Sequence, residues 1–364
     1  MQSLVNEQIA ELNIEPIEKA WQTLRSQYES YLMPGDHGSL IEWLLPAEGQ
    51  SFQLLELLGR LVQYFFHEIM LNGQLLTTLV VLALFAALLD RLQSSLSNPQ
   101  VAKLGTMLML MVLMSIAVHS LYVALDYARD AVTLMSDFMM AMFPMFVALL
   151  AASGQFMSMM MIEPVLMVMT QFMSALIQYL VFPLCFFAAL LHMASALSEH
   201  YKVTRLAELM STIALSVLGI MITVFLGILS IKGAFMTTAD GLSLRAAKFM
   251  AGNFVPVVGR MFADAADTVL SASLVVKNAV GFAGLLIVFL LCAFPALKIL
   301  VLAIMYRLCA AFLQPLGDSP LVVCLEAVGK CLTYVFGAVA ALGLMFFLSL
   351  TILIGFGNLT LMLR

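Results

Sequence analysis

Arg260, Asp264, Asp267, Ser271 and Asn278 recur at steps of four, three, four and seven. On an α-helix that spacing collects them on one face, while Phe262, Val269 and Val276 lie elsewhere. A stripe of this kind lines an aqueous path or faces polar groups on a neighbouring subunit. An ordinary interfacial helix with its wet side toward water has the same pattern, and its Arg260–Asp264 pair is worth roughly a few tenths of a kcal/mol. Arg245, Lys248 and Lys277 belong to the same stretch, Ile231 to Val280, set between long apolar runs. Polar groups kept at the edge of a bilayer line a cavity or dock a partner.

Just before the stripe, Gly252, Asn253, Pro256 and Gly259 interrupt the helical pattern. Two glycines and a proline let the chain reverse, as a re-entrant hairpin or a plain surface turn. Irregular backbone at membrane depth is tolerated only where it is buried in protein or lines a cavity. Lys298 lies inside an apolar run, Ala293 to Leu300. At the bilayer centre a lysine costs roughly 2.5 to 3.5 kcal/mol on insertion scales, and much less if it snorkels to the interface. If it is paired, Asp264 or Asp267 is the expected acid.

Other chemistry is weakly encoded. The 28 methionines cluster at Met107–Met114 and Met135–Met173; thioethers suit Cu(I), but these face every direction around a helix, as packing residues do. His67-Glu68 lacks the second histidine of a zinc-protease helix, and no phosphate-binding glycine loop is present. Ala151-Ala-Ser153-Gly154 resembles the nucleophile turn of intramembrane serine proteases, with His192 as a conceivable base, but its first glycine is missing. No catalytic residue, cofactor site or metal site is assigned, and the chain reads as a non-enzyme.

The elements that position these residues are set by composition. Of 364 residues, 63% are hydrophobic and 11% charged, and the mean hydropathy is +1.02, which marks an integral membrane protein. The net charge of −5 arises mainly in the first seventy or so residues and argues against nucleic-acid binding. Cys185, Cys292, Cys309, Cys324 and Cys331 show no C-x-x-C spacing and read as small buried hydrophobes. The chain opens without the basic start and apolar core of a signal peptide, so either the first span directs insertion or a leader has been removed.

Seven segments approach the roughly 20 apolar residues needed per span: Leu71–Leu89, Leu104–Val123, Phe138–Ala152, Val165–Leu191, Leu209–Ile231, Val280–Ala303 and Tyr334–Phe356. Pro144 and Pro183 are expected to break or tilt the third and fourth. The expected fold is all-α and polytopic, with about seven transmembrane helices and a re-entrant or amphipathic helical hairpin between the fifth and sixth. Its organisation is an acidic extramembrane or amphipathic region, 1–70, and a membrane domain, 71–364, whose polar hairpin covers 232–279. The stretch Phe52–His67 reads as a helix lying on the interface or as a small soluble cap. The positive-inside rule leaves the orientation near a tie, and no internal repeat is visible.

Several long stretches resemble the stage III sporulation protein AE family of endospore-forming Firmicutes. They are Leu149-Leu-Ala-Ala-Ser-Gly154, Leu197-Ser-Glu-His-Tyr-Lys-Val-Thr-Arg-Leu206, Ala239-Asp-Gly-Leu-Ser-Leu-Arg-Ala-Ala-Lys248 and Gly252-Asn-Phe-Val-Pro-Val-Val-Gly-Arg-Met-Phe262. The likeness continues through Ser271–Gly281, Cys292–Ile299, Leu313–Gly317 and Gly357–Arg364. It implies a multi-pass protein of the mother-cell membrane around the forespore, working with the sibling AA to AH proteins and, through them, forespore protein Q. The implied complex is channel-like or secretion-like and is needed for late forespore gene expression. The likeness carries over no catalytic residue. A stand-alone secondary transporter of a small solute is the alternative; it calls for repeat symmetry and a midplane site between broken helices.

Overall fold

A computed structural model describes residues 14–29, 31–32, 54–93, 99–152, 156–197, 202–254, 258–316 and 320–362. Within them, side chains are described except at 54–55, 87, 89–93, 99–103, 106, 152, 156–163, 231–272, 274, 316 and 356–362. Every regular element among the described residues is helical. In chain order these are α1 (Glu15–Tyr28), α2 (Leu54–Leu71), α3 (Gly73–Gln93), α4 (Pro99–Ala152), α5 (Phe156–Leu176), a π turn (Ile177–Val181) and α6 (Phe182–Leu197). They are followed by α7 (Thr204–Phe254), α8 (Val258–Leu313), a 3₁₀ turn (Gln314–Leu316) and α9 (Pro320–Met362).

Among the described residues, five segments are long and apolar enough to cross a membrane: Met107–Ala151, Pro164–Leu197, Thr204–Ser230, Val275–Leu313 and Pro320–Gly355. A sixth span results if α2 and α3, bent by 41° at Asn72, count as one broken span. The all-α polytopic expectation therefore holds with five or six spans in place of seven. The difference arises in α4, where the two runs Leu104–Val123 and Phe138–Ala152 join into one helix of 54 residues. Nothing between Gly105 and Pro144 breaks a helix, because the intervening residues include neither Gly nor Pro and are rich in Ala, Leu and Met. Asp126, Arg129 and Asp130, which look like a loop between two spans, sit on the exposed side of that helix. At 1.5 Å per residue α4 is about 80 Å long, far more than a bilayer core of about 30 Å requires.

Pro183 does not break its segment either. A π turn at Ile177–Val181 precedes it, and the Phe182 N–H donates to the Ile177 carbonyl, five residues back. The wider turn accommodates the ring without ending the helix.

Glycine contacts set the register of the core helices. A Cβ on Gly284 of α8 would lie 2.6 Å from Met142 Cε of α4 and 3.8 Å from Leu350 Cδ1 of α9. One on Gly343 of α9 would meet Cys292 of α8 and lie 3.8 Å from Met135 Sδ of α4. Moving from Met135 to Met142, α8 runs from Cys292 back to Gly284 while α9 runs forward from Gly343 to Leu350. The two contacts thus make α4 parallel to α9 and antiparallel to α8. Their shared core includes Val132, Met139, Phe146, Ile287, Val339 and Phe346, all buried. Cross-helix hydrogen bonds tie α5 to α4: Ser136 Oγ donates to Gln171 Oε1 at 3.0 Å, and Gln171 Nε2 donates to the Ser136 carbonyl at 3.4 Å.

The acidic N-terminal segment also enters the core. Pro16 opens α1, with Glu15 and Glu18 in the first turn, placing negative charge where the helix dipole favours it. Ile17 and Leu24 of α1 are fully buried, and α1 packs against α4 and α8. In α2, Leu57, Leu61, Tyr64 and Glu68 form a buried face at steps of four, three and four, and α2 packs against α8.

Candidate functional site

Where α1, α2, α4 and α8 meet, a carboxylate and a lysine share an aromatic cage. Glu68 sits on the apolar face of α2, 6% exposed. Tyr64, one turn earlier, donates its hydroxyl proton to Glu68 Oε1 at 2.9 Å. Asn72, one turn later, donates from Nδ2 to Glu68 Oε2 at 3.0 Å and to the Glu68 carbonyl at 2.9 Å. These contacts satisfy both carboxylate oxygens from the same helix turn that bends toward α3. The fourth contact comes from 230 residues away: Lys298 Nζ of α8 lies 3.9 Å from Glu68 Oε1.

Lys298 Nζ also stands 3.9 Å above the ring of Tyr127 in α4, in the electronegative field of the ring face. Phe294, one turn back on α8, completes the cage. It stacks on Tyr28 at 4.1 Å with the rings 9° apart, and receives Tyr64 edge-on at 5.0 Å. Tyr28 and Tyr31 both approach Tyr64 edge-on, at 5.7 and 5.1 Å. Burial, then the negative charge of Glu68 and the neighbouring Tyr127, push the Tyr28 hydroxyl up to about 12. A neutral phenol there is compatible with a charged carboxylate nearby. The cage thus places opposite charges from α2 and α8 in a largely dry site and fastens the N-terminal helices to the membrane bundle.

The pairing corrects one expectation. Lys298 is met by Glu68, because the amphipathic helix before the first span folds onto α8 at the level of the lysine; the side chains of the expected acids, Asp264 and Asp267, lie outside the described ones. Sequence reasoning missed Glu68 by weighing it only as half of a zinc motif. The available signal was its place in the Leu57, Leu61, Tyr64, Glu68 series, a carboxylate on an apolar helix face.

The other predicted residues are placed in part. Lys277 is fully buried and Asn278 half-buried, beside the buried Ser273. Arg245, Lys248, Gly252 and Asn253 belong to α7, and Gly259, Arg260, Asp264, Asp267 and Ser271 to α8. The side chains of these residues lie outside the described ones, as do Pro256 and Ser153 altogether. The described part of α7 ends at Phe254 and that of α8 begins at Val258, and residues 255–257 of the expected hairpin lie outside the described residues. From Val258 to Leu313 the chain is one helix, and the polar stripe and the following span therefore share an axis.

A second polar feature lies between α6, α7 and α9. His192, Glu208, Ser211, Thr212, Lys330 and Tyr334 line a cavity of about 200 Å³. Lys330 pairs with Glu326 at 2.8 Å, one turn away on the same helix. Among the described residues, no group of three or more His, Cys, Asp or Glu side chains is arranged to hold a metal ion.

The stage III sporulation protein AE family model matches residues 36–357. This chain belongs to that family. It is 42% identical over 363 residues to stage III sporulation protein AE of Bacillus subtilis (strain 168), a match covering all of this chain and 90% of the relative. No solved structure matches it. Family membership gives the chain a role in sporulation, and the helices make this family member a membrane protein. The caged Glu68, Tyr127, Phe294 and Lys298 all fall inside the matched region.

Proposed function

We propose that this family member is a non-enzymatic core subunit of a channel-like or secretion-like complex joining mother cell and forespore. It resides in the mother-cell membrane around the forespore. There it works with the sibling stage III proteins AA to AH and, through them, forespore protein Q, to sustain late forespore gene expression. The observation that carries this reading is the whole-length likeness to a sporulation protein in a chain that folds as a membrane bundle. The caged ion pair supports a scaffold role, since it joins four helices and leaves both ions already engaged within the chain.

Complementation tests it. A Bacillus subtilis strain lacking its own AE protein receives this chain with a fluorescent tag, and heat-resistant spores and late forespore gene expression are scored. Rescue, with the tag on the engulfing membrane, is the expected result. An inserted, abundant protein that neither localises nor rescues would remove the reading. The cavity beside His192 and Glu208 favours a second one, a secondary transporter of a small polar solute. Uptake by liposomes holding the purified chain alone would establish that alternative.

A further inference from the structure

The side of α4 turned away from the core carries His119, Tyr122, Asp126, Asp130, Thr133 and Asp137, all exposed. Their steps of three, four, four, three and four follow one helix face. Ala117, Leu121, Ala124, Ala128, Val132, Met135 and Met139 are buried on the other side. Arg129 is exposed next to Asp130. Among the described residues, none of these charged side chains forms an ion pair. The stripe covers 18 residue steps, about 27 Å along the axis, close to the thickness of a bilayer core of about 30 Å.

The helix register fixes its depth. Tyr127 lies against Lys298, Met135 shares a level with Cys292 and Gly343, and Met142 with Gly284 and Leu350. Asp130 and Asp137 fall inside that interval, and Asp126 at its edge. On α8 the matching residues Gly284–Lys298 carry one charged side chain, Lys298 at the Tyr127 end, and on α9 residues 336–350 carry none. Asp130 and Asp137 therefore stand within the apolar part of the bundle, with Asp126 near the level of Lys298, on its outer face. Toward lipid, each ionised aspartate there would cost roughly 2.5 to 3.5 kcal/mol on insertion scales. The π turn extends the polar surface, since Gln178 Nε2 donates to Thr133 Oγ1 at 3.3 Å.

From this register we infer that the His119–Asp137 face of α4 is water-lined at membrane depth, one wall of a hydrophilic path closed by further subunits. The inference deepens the channel reading and rests on it for the identity of those subunits. Three aspartates against one arginine give the wall a net negative charge, so it favours cations over anions. It lies on a different helix from the Arg260–Asn278 stripe expected from the sequence.

Cysteine accessibility decides the matter. Tyr122→Cys, Asp130→Cys, Thr133→Cys and Asp137→Cys are expressed in the sporulating strain with all sibling proteins present, beside the lipid-facing controls Val168→Cys and Ile220→Cys, whose parent residues are 69% and 63% exposed. Opened sporangial membranes are treated with membrane-impermeant cationic and anionic methanethiosulfonates, and the unsubstituted chain gives the background of its own cysteines. Labelling of the stripe but not of the controls is expected. At Thr133→Cys the cationic reagent should be favoured by about tenfold, after normalising to Lys202→Cys on the exposed end of the bundle. Protection of the stripe at abundance equal to the unsubstituted chain would overturn the inference, because protein or lipid would then cover the face. Spore rescue by the unsubstituted chain is scored in parallel. A labelled stripe without rescue keeps the wet wall and removes the sporulation-complex reading, while rescue with a protected stripe does the reverse.

Discussion

Lys298 and Glu68 lie 3.9 Å apart although 230 residues separate them, and the lysine stands equally far above the ring of Tyr127. The pair is an electrostatic tie between the N-terminal helices and the bundle. Glu68 is buried while Lys298 is 27% exposed, so removing one partner costs about 1 to 3 kcal/mol, below the loss in a fully buried pair. The two sides are not equivalent here. If Lys298 becomes Met, Glu68 keeps the hydrogen bonds of Tyr64 and Asn72. If Glu68 becomes Ala, Lys298 keeps the face of Tyr127, worth about 1 kcal/mol, and its partial exposure. Glu68→Ala should therefore lower thermal stability in detergent more than Lys298→Met does. It should also expose the segment before α2 to limited proteolysis. Equal losses, or none, would show that the cage does not hold α1 and α2.

Gly343 is a packing requirement. A Cβ there would fall against Cys292 Sγ and lie 2.7 Å from Cys292 Cβ, with neighbours on the same interface already buried. Overpacking of this kind costs about 1 to 3 kcal/mol. Gly343→Ala should lose that much stability in a thermal or denaturant series. Adding Cys292→Ala should restore only part of it, since removing the sulfur leaves the Cβ contact. A Gly343→Ala protein as stable as the parent would mean that α8 and α9 are not so closely apposed.

The reciprocal bonds between Ser136 and Gln171 test the join between α4 and α5. Interhelical hydrogen bonds in membranes are worth about 0.6 kcal/mol each on average, with a maximum near 1.7. Gln171→Leu should cost roughly 1 kcal/mol, and a double-mutant cycle with Ser136→Ala should return a coupling of similar size. Additive effects would indicate that the two side chains do not touch.

Hydropathy alone makes the fold class legible, because five or six helices carry more apolar surface than a soluble core needs. The count was not legible at Asp126, Arg129 and Asp130, whose charge looks like a loop. A helix needs a breaker to stop, and none stands between Gly105 and Pro144. Their one-sided placement emerges only when the whole 107–151 stretch is read as a single helix. The partner of Lys298 was hidden for a different reason. Sequence patterns report neighbours within a helix, whereas Glu68 reaches Lys298 through the packing of α2 on α8. The Arg260–Asn278 stripe was visible from spacing; its backbone is helical, and its side chains as far as Ser271 lie outside the described ones.

Tyr28 gives the last prediction, a test of α1 docking by pH. Burial is the largest cause raising its hydroxyl to about 12, followed by the charge of Glu68 and by Tyr127; an ordinary tyrosine titrates near 10. A raised value means the folded state holds the proton more tightly than the unfolded one. The resulting stabilisation of α1 is complete below pH ~10 and is lost as pH rises toward ~12. Docking should therefore be insensitive to this group from neutrality to mild alkali and weaken above it. Spectrophotometric titration near 295 nm should show late-ionising tyrosines, one of which is lost in Tyr28→Phe. In Glu68→Gln its midpoint should move down only in part, because burial contributes more than the carboxylate does. A late-ionising amplitude unchanged by Tyr28→Phe would mean that Tyr28 does not titrate late and that α1 does not bury its tyrosine against Phe294.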